Sequence, residues 1–123
     1  MDPLGAGLGT TLYKVSMAKI IWTKRFLRLM DYYIGNASME FGSSTAKRWA
    51  EEIAAFEHRL QSQPTSYTPE RLLVGKGKLY RGCHVMNRRF KLIYYYDEVK
   101  DVAHLVDIWD TKNNPKTLVR RIR

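Results

Sequence analysis

The sequence contains little of several features that define common protein classes. Its single cysteine, Cys83, cannot form a disulfide within the chain, so the sequence does not require an oxidising compartment. No apolar run approaches the length of about 20 residues that a membrane-spanning helix needs. The histidines His58, His84 and His104 show no paired ligand spacing, with each other or with Cys83. We therefore expect a cytoplasmic protein with no membrane contact, no metal site and no cofactor.

Acidic residues are scarce in two segments of the chain. The whole sequence carries a net charge of +9, and residues 71–91 and 111–123 contain no aspartate or glutamate. This charge favours a polyanionic partner, such as nucleic acid, an acidic membrane or an acidic protein, over an evenly solvated surface. The basic residues of the two segments are Arg71, Lys76, Lys78, Arg81, Arg88, Arg89, Lys91, Lys112, Lys116, Arg120, Arg121 and Arg123.

The 123 residues are enough for one domain with a single core. Residues 1–16 are rich in glycine and threonine and show no hydrophobic period, which predicts a flexible N-terminal extension. They lack the basic and apolar regions of an ordinary signal peptide. We therefore expect one domain, at residues 17–123.

Residues 88–110 organise the predicted fold. They contain two β-forming runs around a polar turn, and the second run, 102–109, is almost continuously apolar, as in a central strand covered by helices. Thr23 can cap a first helix, from Lys24 to Ile34, that Gly35 and Asn36 would end. A second helix is expected from Ser43 or Ser44 to the loop around Pro64.

Short strands at residues 18–23 and 79–86 complete the predicted architecture, and a short basic helix is expected near the C-terminus. The sequence predicts an α+β fold with an N-terminal strand, a two-helix hairpin and an antiparallel three-strand meander. The helices would pack on one sheet face. The other face would stay partly open, and we expect function there.

Several of these pieces occur in an order that resembles a known family. The pieces are Lys19-Ile20-Ile21-Trp22-Thr23, the helical hairpin, the Pro64 loop, Tyr80-Arg81, Phe90-Lys91-Leu92-Ile93-Tyr94-Tyr95 and the ending from Ile108 to Pro115. Residues 17–123 resemble the RelE/ParE superfamily of toxins from bacterial type II toxin–antitoxin systems, and the ending is more similar to ParE-like members. The resemblance implies a growth-inhibiting toxin that a cognate antitoxin neutralises in a hetero-oligomeric complex.

The superfamily contains two mechanisms. RelE-like members are ribosome-dependent mRNA interferases, whereas ParE-like members inhibit DNA gyrase. Arg81 matches a strand-opening arginine of both groups, and Lys76 and Lys78 fall where RelE-like endoribonucleases carry loop lysines. However, no tyrosine or histidine follows Pro115, and RNA cleavage needs a group that accepts the 2′-hydroxyl proton. We therefore favour a non-enzymatic, gyrase-inhibiting toxin.

Two alternatives stay open. The first is an mRNA interferase with Arg81, Lys78 and Lys76 at the scissile phosphate, in which His84, His104, Tyr80, Tyr94 or Tyr96 would replace the missing base. The second is an inactive relative that is retained with its antitoxin as a DNA-binding repressor complex. For either target, gyrase or ribosome-bound mRNA, the residues expected to bind are Arg81, Arg88, Arg89, Lys91, Lys112, Lys116, Arg120 and Arg121.

Overall fold

A computed structural model of the chain describes residues 17–122. The flexible extension predicted at residues 1–16 lies outside them. The elements are β1 (Lys19–Trp22), α1 (Lys24–Phe41), α2 (Ser43–Ser62), β2 (Tyr80–Val85), β3 (Phe90–Asp97), β4 (Val102–Asp110) and α3 (Pro115–Arg121), with a 3₁₀ turn at Arg71–Leu73. The predicted α+β class and order of elements are confirmed.

The strands of the described residues form one sheet in the order β1-β4-β3-β2. The last three strands make the predicted antiparallel meander. β1 pairs in parallel with β4, with Ile20 opposite Ala103 and Trp22 opposite Leu105. β4 is therefore an interior strand, as its almost continuously apolar sequence predicted. A register shift in the β3–β4 pairing leaves Val106 of β4 as an extra residue.

The first helix is longer than predicted. Gly35 and Asn36 lie inside α1, which continues to Phe41, and Gly42 separates α1 from α2 with φ +90°. The predicted stop at Gly35 is wrong because an interior glycine costs a helix only about 1 kcal/mol, which packing beyond it can offset: Ala37 is buried in the core. Gly42, rather than a serine, precedes α2, while Thr23 caps α1 as predicted.

Two clusters of buried side chains lie on the two faces of the sheet. The larger cluster joins α1 and α2 to one face, through residues such as Phe26, Trp49 and Phe56. The smaller cluster packs α3 and the 3₁₀ turn onto the opposite face. Its buried members are Leu73, Tyr80, Ile93, Trp109, Leu118 and Ile122. Thus α1 and α2 share one face, as predicted, and α3 covers part of the other. None of the helices in residues 17–122 has the length and apolar character to span a membrane.

Candidate functional site

The structure places two of the predicted catalytic residues on opposite faces of the sheet. The Arg81 guanidinium donates a 2.7 Å hydrogen bond to the Tyr67 carbonyl, and the Tyr67 ring packs with Phe56 on the helix side. The Lys78 ammonium instead lies 4.9 Å from the centre of the Tyr95 ring, on the other side. Arg81 and Lys78 therefore do not converge on one site. Lys76 is half-buried in the loop before β2.

Three of the predicted target-binding residues have carboxylate partners. Arg89 donates two hydrogen bonds to Asp110, at 2.9 and 3.1 Å, and this interaction lowers the pKa of Asp110. Lys91 forms a 2.5 Å ion pair with a buried glutamate, Glu70. Arg121 likewise donates two hydrogen bonds to the buried Asp107, which raise the pKa of Arg121. These three cations are paired within the protein, so they stabilise the fold and are less available to a target.

Four further residues predicted to bind the target are exposed. Arg88 lies in the turn between β2 and β3, and Lys112, Lys116 and Arg120 lie in or just before α3. The Thr111 hydroxyl donates to the carbonyls of Arg88 and Arg89, at 3.2 and 2.8 Å, and so holds that turn beside the start of the C-terminal segment. We refer to Arg88, Lys112, Lys116 and Arg120 as the basic ridge.

The basic ridge owes its position to local signals at the start of α3. The Asn114 side chain accepts a 2.9 Å hydrogen bond from the Lys116 backbone N–H, and Pro115 occupies the first turn. Asparagine as the cap and proline as the first helical residue are both favoured at a helix start. Leu118 anchors the helix in the core, so the lysine and arginine side chains are held at the surface.

An aromatic row crosses the partly open sheet face. Tyr80, Tyr95 and His104 stand opposite one another on β2, β3 and β4. The Tyr95 and His104 rings are stacked, with centres 4.5 Å apart and planes at 13°, while Tyr80 meets Tyr95 edge-on at 5.7 Å. Burial lowers the pKa of His104, and Lys78 adds to the effect. The sequence analysis did not recognise this row because it requires the strand register.

A shallow cleft of about 480 Å³ lies beside the aromatic row. Its walls come from the start of α1, the loop before β2, the two tyrosines of the row and the end of α3. Of the described residues that line it, none is acidic and four are basic. These four are Lys24, Arg25, Lys78 and Arg121.

A groove of about 580 Å³, lined by apolar residues and by polar ones such as Glu40 and Asp110, lies on the helix side, near the junction of α1 and α2. It is bounded by both helices and by the turn between β2 and β3. Tyr32 and Phe41 leave 60% and 69% of their surface exposed at this end of the molecule. We call this feature the hairpin groove, and its main apolar residues are Tyr32, Tyr33, Phe41, Trp49, Met86 and Phe90.

The residues that could hold a metal do not assemble in the described part of the chain. Cys83 packs against the helix-side cluster, where burial raises the pKa of its thiol. Its neighbour His84 lies on the opposite face, in a pocket that Arg88 and Lys91 also line. Within residues 17–122 no group of three or more histidine, cysteine, aspartate or glutamate side chains is placed to bind a metal ion.

Comparisons with known proteins identify the fold. No family model and no curated protein matches the chain. A chain of the solved structure described as "Chromosomal ParDE TA system from P. aeruginosa" is similar to it, with a TM-score of 0.60 and 14% sequence identity. The similarity covers 76% of this chain and 96% of that chain. The protein therefore has the RelE/ParE-like fold that its sequence resemblance implied.

Proposed function

We propose that the protein is a ParE-like toxin of a bacterial type II toxin–antitoxin system, and that it inhibits DNA gyrase without cleaving a substrate itself. Its toxin domain would comprise residues 17–123 and act in the cytoplasm. The similarity to a chain of a ParDE system supports the toxin assignment. The basic ridge and the hairpin groove supply surfaces for the target and for the antitoxin.

One observation favours gyrase inhibition over mRNA cleavage. The proposed nuclease would need Arg81 and Lys78 at the same phosphate, yet Arg81 bonds to Tyr67 on the helix side and Lys78 lies over Tyr95 on the other side. Charge stabilisation of a transition state requires donors that are already aimed at one point. The two cations cannot serve together without rearrangement of the loop before β2.

The basic ridge is the surface that we assign to the target. Its four side chains are exposed. Asp110, which accepts a 3.0 Å hydrogen bond from the Lys112 backbone N–H, is also paired with Arg89, and Asp107 is paired with Arg121. A cationic surface accelerates encounter with an acidic partner and orients it. Lys116 and Arg120 occupy the same short helix, so the ridge presents them at a fixed spacing.

Assays with full-length protein test this proposal. Gyrase supercoiling is measured beside cell-free translation with primer extension on the reporter mRNA. We expect inhibited supercoiling and intact mRNA, and we expect the double variant Lys116→Ala/Arg120→Ala to be about tenfold weaker as an inhibitor. Lys47→Ala, a change at an exposed lysine of α2, provides the matched control. Ribosome-dependent cuts that disappear in Arg81→Ala would overturn the proposal and establish the interferase.

The hairpin groove is the site that we assign to an apolar anchor of the antitoxin. It combines apolar walls with exposed aromatic side chains, as interaction sites commonly do. If so, Phe41→Ala weakens the complex with the antitoxin encoded beside this protein, by about tenfold or more. Met39→Ala serves as the control, because Met39 is 87% exposed on the same helix but does not line the groove. An equal loss of antitoxin affinity in both variants would show that the antitoxin does not use the groove specifically.

A further inference from the structure

The turn between β2 and β3 has an uncommon backbone. Met86, Asn87 and Arg88 follow one another with φ values of 54°, 55° and 67°. This left-handed conformation is costly for a residue with a Cβ, and asparagine tolerates it better than methionine or arginine does. Elsewhere in residues 17–122 a non-glycine residue has a positive φ only once, at Asp101. Strained residues persist where the surrounding structure holds them, so three in a row require contacts from outside the turn.

Two side chains of α2 provide those contacts on one side of the turn. The Glu52 Oε1 atom accepts a 2.8 Å hydrogen bond from the Met86 backbone N–H. The Arg48 Nη2 atom donates a 2.8 Å hydrogen bond to the Asn87 side-chain oxygen. Arg48 and Glu52 also bond to each other, from Nε to Oε2 at 2.7 Å. Each of these two side chains therefore uses one atom for its partner and another for the turn, and we call the pair the α2 clamp.

The C-terminal segment holds the other side of the turn. The Thr111 hydroxyl bonds to the carbonyls of Arg88 and Arg89, and the Arg89 N–H donates a 3.1 Å hydrogen bond to the Met86 carbonyl within the turn. The Arg88 side chain is exposed. The backbone conformation at Arg88 sets the direction of its Cα–Cβ bond, so the contacts that hold the turn also direct this side chain.

We propose that Arg48 and Glu52 are positioning residues, which keep the turn left-handed and thereby place Arg88 in the basic ridge. The proposal rests on the proposed function, in which the basic ridge binds the target. Without the α2 clamp, the Met86 N–H and the Asn87 side chain lose their partners. The turn can then relax to a less costly conformation, and Arg88 points in a different direction.

A direct contact between Arg48 and the target is the alternative to positioning. The structure favours positioning, because two nitrogens of the guanidinium are already directed at Glu52 and Asn87. A guanidinium presents its donors in a fixed fork, whereas a lysine ammonium is a point charge. Arg48→Lys therefore keeps the charge but breaks the α2 clamp. Lys47→Gln removes the charge of the neighbouring, exposed lysine and is the matched control.

Two measurements on the full-length protein test the proposal. Backbone ¹³C chemical shifts of residues 86–88 report their conformation, and gyrase supercoiling assays report inhibition. In Arg48→Lys we expect the shifts to leave their left-handed values and inhibition to become about fivefold weaker. Glu52→Ala, which removes the other half of the α2 clamp, should have the same two effects. Lys47→Gln should have neither.

A double variant separates positioning from a general loss of structure. A residue that acts through Arg88 has nothing to position in Arg88→Ala, so adding Arg48→Lys to that variant should not weaken inhibition further. An equal further loss in the presence and absence of the Arg88 side chain would overturn the proposal.

The remaining outcomes also decide between the explanations. Left-handed shifts that persist in Arg48→Lys and Glu52→Ala would overturn the role of the α2 clamp. Equal weakening of inhibition by Lys47→Gln and Arg48→Lys would overturn positioning in favour of general charge attraction. If the unmodified protein does not inhibit gyrase, the proposed function fails, and the chemical shifts alone then support or overturn the placement of Arg88 by the α2 clamp.

Discussion

The buried Asp107 and the half-buried Arg121 form an ion pair that fastens the C-terminal helix to β4, an interior strand. The Asp107 carboxylate has no exposed surface and accepts hydrogen bonds from Nε and Nη2 of Arg121, at 2.9 and 2.5 Å. Arg25 extends the contact by donating a 2.9 Å hydrogen bond to the Arg121 carbonyl. The start of α1, the end of α3 and the middle of the sheet thus meet at one carboxylate. Arg25 and Arg121 of this junction also line the cleft beside the aromatic row.

Loss of the arginine at this junction should destabilise the protein strongly. Arg121→Met leaves Asp107 buried without its main partner, and we expect the free energy of unfolding to fall by about 3 kcal/mol. Arg120→Met changes the neighbouring, exposed arginine of the same helix and should cost less than about 0.5 kcal/mol. Urea denaturation of both variants measures the difference. Similar midpoints for the two would show that the Asp107 pair contributes little.

Gly35 and Gly42 should respond to alanine in opposite directions. Gly35 lies inside α1, and Gly35→Ala should stabilise the protein by up to about 1 kcal/mol, since alanine favours helix. Gly42 has φ +90° and ψ 177°, a conformation that is costly for other residues, so Gly42→Ala should destabilise by about 1–3 kcal/mol. A Cβ at either position meets nothing within 4 Å. Thermal melts of the two variants therefore compare backbone effects alone, and destabilisation by Gly35→Ala would contradict the helix boundary.

Lys91 should matter for stability where Arg88 does not. Lys91 is the charged partner of the buried Glu70, which also accepts a 3.1 Å hydrogen bond from the Leu72 N–H. Lys91→Met should lower the free energy of unfolding by about 3 kcal/mol, because it leaves a buried carboxylate unpaired. Adding Glu70→Gln should recover part of the loss. Arg88→Met, at the exposed turn, is the control, and an equal loss there would refute the role of the Lys91 pair.

The pKa of His104 should report on the positive charge of Lys78 beside the aromatic row. Burial holds this pKa below its ordinary value of 6.5, Lys78 and Lys100 add to the decrease, and Asp97 opposes it. The folded state thus favours neutral His104, and this contribution to stability is complete above about pH 6.5 and is lost as the pH falls through the folded pKa. Lys78→Gln should raise the pKa in an NMR titration because it removes a positive charge. An unchanged pKa of His104 in Lys78→Gln, or the same change in Lys47→Gln, would contradict the position of Lys78 near His104.

The sequence predicted the elements of this fold better than their ends. The hairpin of β3 and β4 and the two long helices follow from local periodicity and from β-forming residues, which each segment carries by itself. The end of α1 does not, because Ala37 extends the helix by packing onto distant parts of the chain. A local helix breaker such as Gly35 loses to that packing.

The candidate sites were predictable in composition but not in arrangement. The acid-free segments identified the cations, but not which of them are paired, since Arg89 and Lys91 find their carboxylates 21 residues away. The aromatic row depends on the register of three strands, which the extra residue Val106 alters. Sequence alternation alone therefore could not place His104 beside Tyr95.

The parallel pairing of β1 with β4 has a consequence for the order of folding. Thr23, directly after β1, donates a 2.8 Å hydrogen bond to Leu105, which lies 82 residues later in the chain. Contacts of such long sequence separation form late, because the loop between them must be ordered first. The β2–β3–β4 meander can form from local contacts, whereas β1 must wait for β4. During synthesis, β1 and α1 therefore leave the ribosome long before the strand that completes them, and the nascent chain exposes their apolar faces until β4 is made.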